Sequence, residues 1–173
     1  DDYVVFDNPI DMERASQDRK WIWIWRRIYK RDVLKHAPAV CIIVEKDNKF
    51  LLVKQLRYGI MEETLEVPAG LIDEAETPLD AANRELREET GLKAHKLELF
   101  YSLYPVPAYC DELVHFFYAT DFTVDPLEQD EDEKIELVWY TIDDIKKELN
   151  KVNSSFDMKT IIAFQYYLLN IKK

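Results

Sequence analysis

Glycine, cysteine, histidine and positive charge are all scarce in this chain, and each shortage removes a class of chemistry. Three glycines in 173 residues leave no glycine-rich phosphate loop, and the G-x-S-x-G, C-x-x-C and H-E-x-x-H patterns are absent. Two cysteines, Cys41 and Cys110, cannot staple a disulfide scaffold. Two free, buried thiols in the reducing cytoplasm are the expected state. His36, His95 and His115 show no metal-ligand spacing, and His115, inside a strand-like run, is expected to be structural. No apolar run approaches the ~20 residues that cross a bilayer, and the acidic opening stretch does not read as a secretory leader. Lys and Arg number 23 against 34 Asp and Glu, a net charge of −11. That balance argues against affinity for a nucleic-acid backbone, which calls for basic stripes. It leaves room for a small anionic substrate, provided divalent cations stand between substrate and protein.

What is present is the composition of a soluble globular domain, with 47% hydrophobic and 33% charged residues. The length suits one domain with a sizeable core. Residues 1–36 differ from the rest and read as an N-terminal arm or small extra sheet, in which Lys20 to Arg27 forms a strand-like stretch with tryptophans on one face and isoleucines on the other. Residues 37–173 read as the main domain. Ala39 to Val44 is a continuous apolar run, as in a buried strand. A polar turn at 46–49 and a returning strand at 50–55 follow, then a short strand at 65–68. Further strands are expected near 96–104, 112–120 and 134–141, with helices near 142–150 and 157–171. The best-marked helix begins at Thr77 as N-cap with Pro78 in first position, and Gly91 closes it. The sum is an α/β fold, a mixed sheet covered by helices on both faces.

That helix carries the chemistry. Glu85, Glu88 and Glu89 fall on one side of it, bordering the apolar side expected from Leu79, Ala82 and Leu86, while Arg87 points away. Clustered carboxylates destabilise a helix unless a cation joins them. Arg84 can pair with Glu88 one turn on. Mg²⁺ or Mn²⁺, which prefer hard oxygen ligands, would balance the rest.

Around the helix the spacing is Gly70, five residues, Glu76, seven residues, then Arg84-Glu85-Leu86-Arg87-Glu88-Glu89-Thr90-Gly91-Leu92. This resembles the Nudix box at every defined position. The resemblance implies a Nudix α/β/α sandwich whose loop–helix–loop holds divalent metals against a diphosphate. By position, Glu85 and Glu89 correspond to the main metal ligands, Glu88 to a further ligand or base, and the carbonyl of Ala69 to an additional oxygen ligand. Arg84 would orient the glutamates, and Glu76 would tie the loop to the helix. The metals would neutralise phosphate charge and lower the pKa of the attacking water.

The segments Val53-Lys54-Gln55-Leu56-Arg57-Tyr58 and Leu65-Glu66-Val67-Pro68-Ala69-Gly70-Leu71-Ile72-Asp73 are similar to the ADP-ribose (ADP-sugar) pyrophosphatases. The resemblance makes Arg57 a contact to substrate phosphates and Glu66 a polar contact or metal-shell residue. Pro107 stands where that subfamily has a proline past the box, without the usual flanking serine and glycine, and Glu112 matches a glutamate beyond that turn. Within the acidic run Asp125–Glu133, Glu131 or Glu133 would be the loop-borne general base. Trp23 is the expected adenine platform, and the arm the expected contact of a homodimer. The implied reaction is metal-dependent hydrolysis of ADP-ribose, or a close ADP-sugar, to AMP and a sugar phosphate. Another nucleoside diphosphate compound, such as GDP-mannose or a dinucleotide, is the enzymatic alternative. A non-catalytic ADP-ribose sensor is the other, against which the intact box and the lack of a basic helix-turn-helix both weigh.

Overall fold

Alternation along the third strand sets the architecture. In the computed structural model, which describes residues 33–128 and 135–172 together with the backbone of 23–24 and 27–28, β3 (Ala39–Lys46) is buried over its first six residues. Val40, Ile42 and Val44 point into one apolar layer, and Ala39, Cys41 and Ile43 into another. A strand buried on both faces needs a cover on each, which is why the sequence run is continuously apolar.

Preceding it, β1 (Trp23–Ile24) and β2 (Arg27–Ile28) pair antiparallel, with Trp23 opposite Ile28. The stretch from Lys20 to Arg27, expected as one strand, therefore contributes to two short antiparallel strands that form a small separate sheet. Side chains there, Trp23 included, lie outside the described residues.

Asp47 and Asn48 both take positive φ, 51° and 59°, and turn β3 back into β4 (Lys49–Arg57). Such a two-residue turn matches the strand twist, and Asp and Asn tolerate the left-handed region. The strand expected at 65–68 is two pieces, β5 (Glu62–Glu66) and β6 (Ala69–Leu71), parted at Val67-Pro68. Proline cannot donate to a ladder, so the chain changes partners there: β5 pairs with β4, and β6 with β3. Helix α1 (Pro78–Thr90) follows, then β7 (Leu92–Leu103), β8 (Val114–Val124), β9 (Glu136–Thr141), α2 (Ile142–Leu149) and α3 (Met158–Tyr166), whose end widens into a π-helical turn. Among the described residues seven strands form one mixed sheet, β5-β4-β3-β8-β7 with β6 against β3 and β9 against β4, and only β3–β8 run parallel.

One face of the sheet is covered by α1 through Ala81, Ala82 and Leu86. Leu79 is 48% exposed, so the apolar side of α1 is turned toward Ala81 and away from the Leu79 position expected from sequence. The other face carries α2 and α3 through Ile145, Ala163 and Phe164. Phe50 meets Phe164 edge-on, ring centroids 5.4 Å apart. Each such buried ring contributes roughly 1.5–3 kcal/mol from removal of apolar surface alone. Helices on both faces of a mixed sheet are the α/β/α layering expected from the element order. Cys41 and Cys110 are free and buried, and burial pushes the Cys41 thiol pKa far up, which makes it inert. No helix among the described residues is long and apolar enough to cross a membrane.

Candidate active site

The site is built by the two ends of α1 and the loop before it. Thr77 caps the helix by accepting from the Asp80 N–H, and Gly91 closes it at φ 70°. In the preceding loop, Glu76 accepts the Asp73 N–H at 3.1 Å and turns its carboxylate to Arg84. It is structural, as expected, and Arg84 holds its pKa below the usual carboxylate range.

Arg84 is the hub. Its Nε and Nη2 reach Glu76 at 3.0 and 2.9 Å, its Nη1 donates to both Glu85 and Glu88 at 2.8 Å, and Nη2 also meets the Leu71 carbonyl at 2.8 Å. One guanidinium thus fixes three carboxylates and the strand end that faces them. Helix spacing alone suggested its pairing with Glu88, and the family resemblance implied that it orients the glutamates. Arg87 points away to Asp125, which it meets at 3.2 Å.

Glu85 lies directly over Gly70. A Cβ at Gly70 would sit 1.9 Å from the Glu85 carboxyl carbon and within 2.2 Å of both its oxygens. The glycine is therefore needed for close approach, the missing methyl group being the space that the carboxylate fills. Glu89 is 3% exposed, and its Oε2 accepts the Ala69 N–H at 3.0 Å. Ala69 is in register with Cys41, yet its N–H turns to α1. In an extended strand the carbonyl of a residue leaves on the same edge as its N–H, so the Ala69 carbonyl also faces the glutamates. Three carboxylates and a carbonyl on one side of a cradle that a methyl group would fill are a donor set suited to a hard divalent cation. Among the described residues no three acids stand ready in a closed metal shell, since Arg84 bridges Glu85 and Glu88.

A cavity of about 750 Å³ is lined by the end of β4, its turn, β5 and the start of α3. Arg57 and Glu66 are among its lining residues. Glu66, 1% exposed, accepts from Arg57 Nε at 2.7 Å and Nη2 at 2.5 Å, from Thr64 Oγ1 at 2.5 Å, and from Lys159 Nζ. Burial would raise its pKa, but the Arg57 fork and the nearby ammonium outweigh it and hold the carboxyl at about 2. The Arg57 guanidinium also lies in the field of Asp157 and Glu89, which ties the cavity to the glutamate helix.

The other expected residues are more scattered. Pro107 is exposed on the loop between β7 and β8, where Tyr109 and Cys110 donate to the Val106 carbonyl. Glu112, on the same loop, faces His36 at 3.5 Å. His115 bonds Ser102 at 2.9 Å, a satisfied structural role. Glu131 and Glu133 lie outside the described residues. Lys159 and Asp157 were missed by sequence reading. The signal was a polar Lys-Thr pair opening an otherwise apolar helix, and Thr160 does serve there, accepting the Val67 N–H at 2.9 Å.

A carboxylate-bearing loop–helix–loop against a mixed sheet, with a cavity lined by paired charges, defines a class, and comparison with known sequences gives its name. The NUDIX domain profile matches residues 35–159, so the chain belongs to the Nudix family. It is 38% identical over 143 residues to the ADP-ribose pyrophosphatase of Bacillus subtilis, covering 81% of this chain and 77% of that one. Over 143 residues it is also 34% identical to the methanol dehydrogenase activator of Bacillus methanolicus, covering 81% and 77%. A crystal structure of an ADP compounds hydrolase superposes with a TM-score of 0.75 at 28% identity, covering 84% of this chain and 78% of that one.

Proposed function

We propose that this protein hydrolyses the diphosphate of ADP-ribose, or a closely related ADP-sugar, to AMP and a sugar phosphate. The observation that carries the reading is the placement of Arg57, anchored by Glu66, within the electrostatic field of Glu89 on the glutamate helix and in the wall of a cavity. Its volume of about 750 Å³ is of the size that takes a nucleotide-scale ligand. The similarity to ADP-ribose pyrophosphatase and to the ADP compounds hydrolase supports adenosine over other nucleosides.

Glu85, Glu88, Glu89 and the Ala69 carbonyl would hold the divalent cations, Mg²⁺ or Mn²⁺. When bound, these neutralise phosphate charge and lower the pKa of water. Arg84 holds the Glu85 and Glu88 carboxylates on one side of the helix before any ligand arrives. Arg57 presents its guanidinium to the diphosphate, and Glu66 acts through it as a buried anchor. Glu131 or Glu133 takes the proton of the attacking water as general base. Pro107 and Glu112 contribute to substrate binding, Trp23 stacks the adenine, and the arm joins two copies of the chain in a homodimer.

The test is a panel of nucleoside diphosphate sugars and dinucleotides with Mg²⁺ or Mn²⁺, scored by product. AMP release from ADP-ribose should exceed every other product. GMP release exceeding AMP would overturn the substrate assignment.

A further inference from the structure

A lysine in the first turn of a helix is misplaced on local grounds. The partial positive charge of the helix N-terminus disfavours a cation there. Lys159 is the second residue of α3, next to its N-cap Asp157, and the first turn carries no acid. Its side chain is 19% exposed, and an ammonium taken from water is costly unless fully paired. It is paired: Nζ donates to Asp157 Oδ2 and to Glu66 Oε2, and the charges of those partners outweigh burial and keep its pKa above the usual lysine range. Asp157 uses its other oxygen to accept the Thr160 N–H at 3.0 Å, so the helix cap and the lysine clamp are one residue. Both Asp157 and Lys159 line the cavity.

The consequence lies in how Glu66 is shared. Its Oε1 accepts from Arg57 Nε and Thr64, and its Oε2 from Arg57 Nη2 and Lys159. Without the lysine, Oε2 would have Arg57 alone, and Thr64 on Oε1 would be the one remaining partner to hold the carboxylate against the guanidinium. With it, both oxygens are pinned from two directions and the plane of the Arg57 fork is fixed. Arg57 is 45% exposed, and its Nη1 makes no hydrogen bond among the described residues, so that nitrogen is the donor left for a ligand.

We propose that Lys159, held by Asp157, is a positioning residue for substrate binding: through Glu66 it fixes the Arg57 guanidinium that meets the diphosphate. The inference rests on the functional reading above and deepens it. Lys159 acts on binding, so its loss raises KM and spares kcat, and it acts through Arg57, so its effect vanishes when Arg57 is gone.

The experiment is a double-mutant cycle on ADP-ribose hydrolysis with Lys159→Met, Lys159→Arg, Arg57→Ala and the Arg57→Ala/Lys159→Met pair. Lys159→Met should raise KM about tenfold with kcat within about twofold, and Lys159→Arg should restore most of the loss. In the Arg57→Ala background Lys159→Met should change KM by less than about twofold. Multiplying factors in the pair, or a fall in kcat at unchanged KM, overturn the proposal. Should Lys159→Met fail to fold, Asp157→Asn keeps the N-cap and removes the clamp. It should raise KM in the same sense, and an unchanged KM overturns the proposal equally. Wild-type protein separates the two readings. No turnover of any ADP-sugar refutes the function and this inference together, whereas wild-type turnover with independent Arg57 and Lys159 effects refutes Lys159 alone.

Discussion

Replacing Gly70 by alanine isolates the placement of one carboxylate. The added Cβ would stand 1.9 Å from the Glu85 carboxyl carbon, and ordinary contact begins near 3.4 Å, so the carboxylate must withdraw by about 1.5 Å. The atoms in its way are the far end of a flexible side chain, so α1 and β6 need not move. Withdrawal breaks the 2.8 Å bond from Arg84 Nη1, a partly exposed contact contributing about 1 kcal/mol or less. Alanine recovers roughly 0.4–1 kcal/mol by restricting the unfolded chain. The two nearly cancel, and Tm should shift by no more than about 3 °C. Activity should not cancel. A misplacement of about 1 Å in a catalytic constellation costs about 10²-fold, so kcat should fall by about that factor. The divalent-metal concentration giving half-maximal rate should rise. The measurements are thermal melts and metal-dependent rates on the same preparations. Wild-type kcat and metal response in a folded Gly70→Ala protein would show that the position of Glu85 over Gly70 does not matter to the reaction.

Two further outcomes follow from the same geometry. Glu88→Gln and Glu89→Gln should each lower kcat by about 10³-fold or more while far-UV circular dichroism and Tm stay close to wild type; near-normal turnover in both would remove the glutamate helix from the mechanism. The second concerns pH and stability. Glu66 has a folded pKa of about 2 against an ordinary 4.5, so its stabilisation is fully present above about pH 4.5 and is lost as pH falls toward 2. The shift corresponds to an order of 3 kcal/mol. Urea unfolding should therefore show Glu66→Gln less stable than wild type at pH 6, with the gap closing between about pH 4.5 and 2. A gap constant over that range would refute the assignment of a buried, ionised Glu66.

Sequence made α1 legible because every local signal agrees there: cap, proline, acidic first turn, carboxylate spacing and closing glycine point to one helix in one place. β3 was legible for a similar reason, since a run buried on both faces needs no partner to be recognised. The tertiary pairings were not. Nothing in Leu65-Glu66-Val67-Pro68 announces that Pro68 moves the chain from one strand partner to another, yet that switch turns the Ala69 N–H away from β3 and onto Glu89. Arg57 and Glu66 were each readable as substrate contacts, while their pairing with one another depends on β4–β5 register, which places Val53 opposite Glu66. Lys159 was hidden most completely. It stands 93 residues from Glu66, and its local setting at a helix N-terminus argues against a buried cation. A residue that breaks a local preference and is then satisfied only by distant partners is where function is expected to override propensity. By that criterion the first turn of α3 is as good a candidate for the site as the glutamate helix is. The family motif specifies the hydrolytic chemistry, and the Arg57–Glu66–Lys159–Asp157 chain, drawn from three separate stretches of backbone (β4, β5 and the start of α3), would orient what that chemistry acts upon.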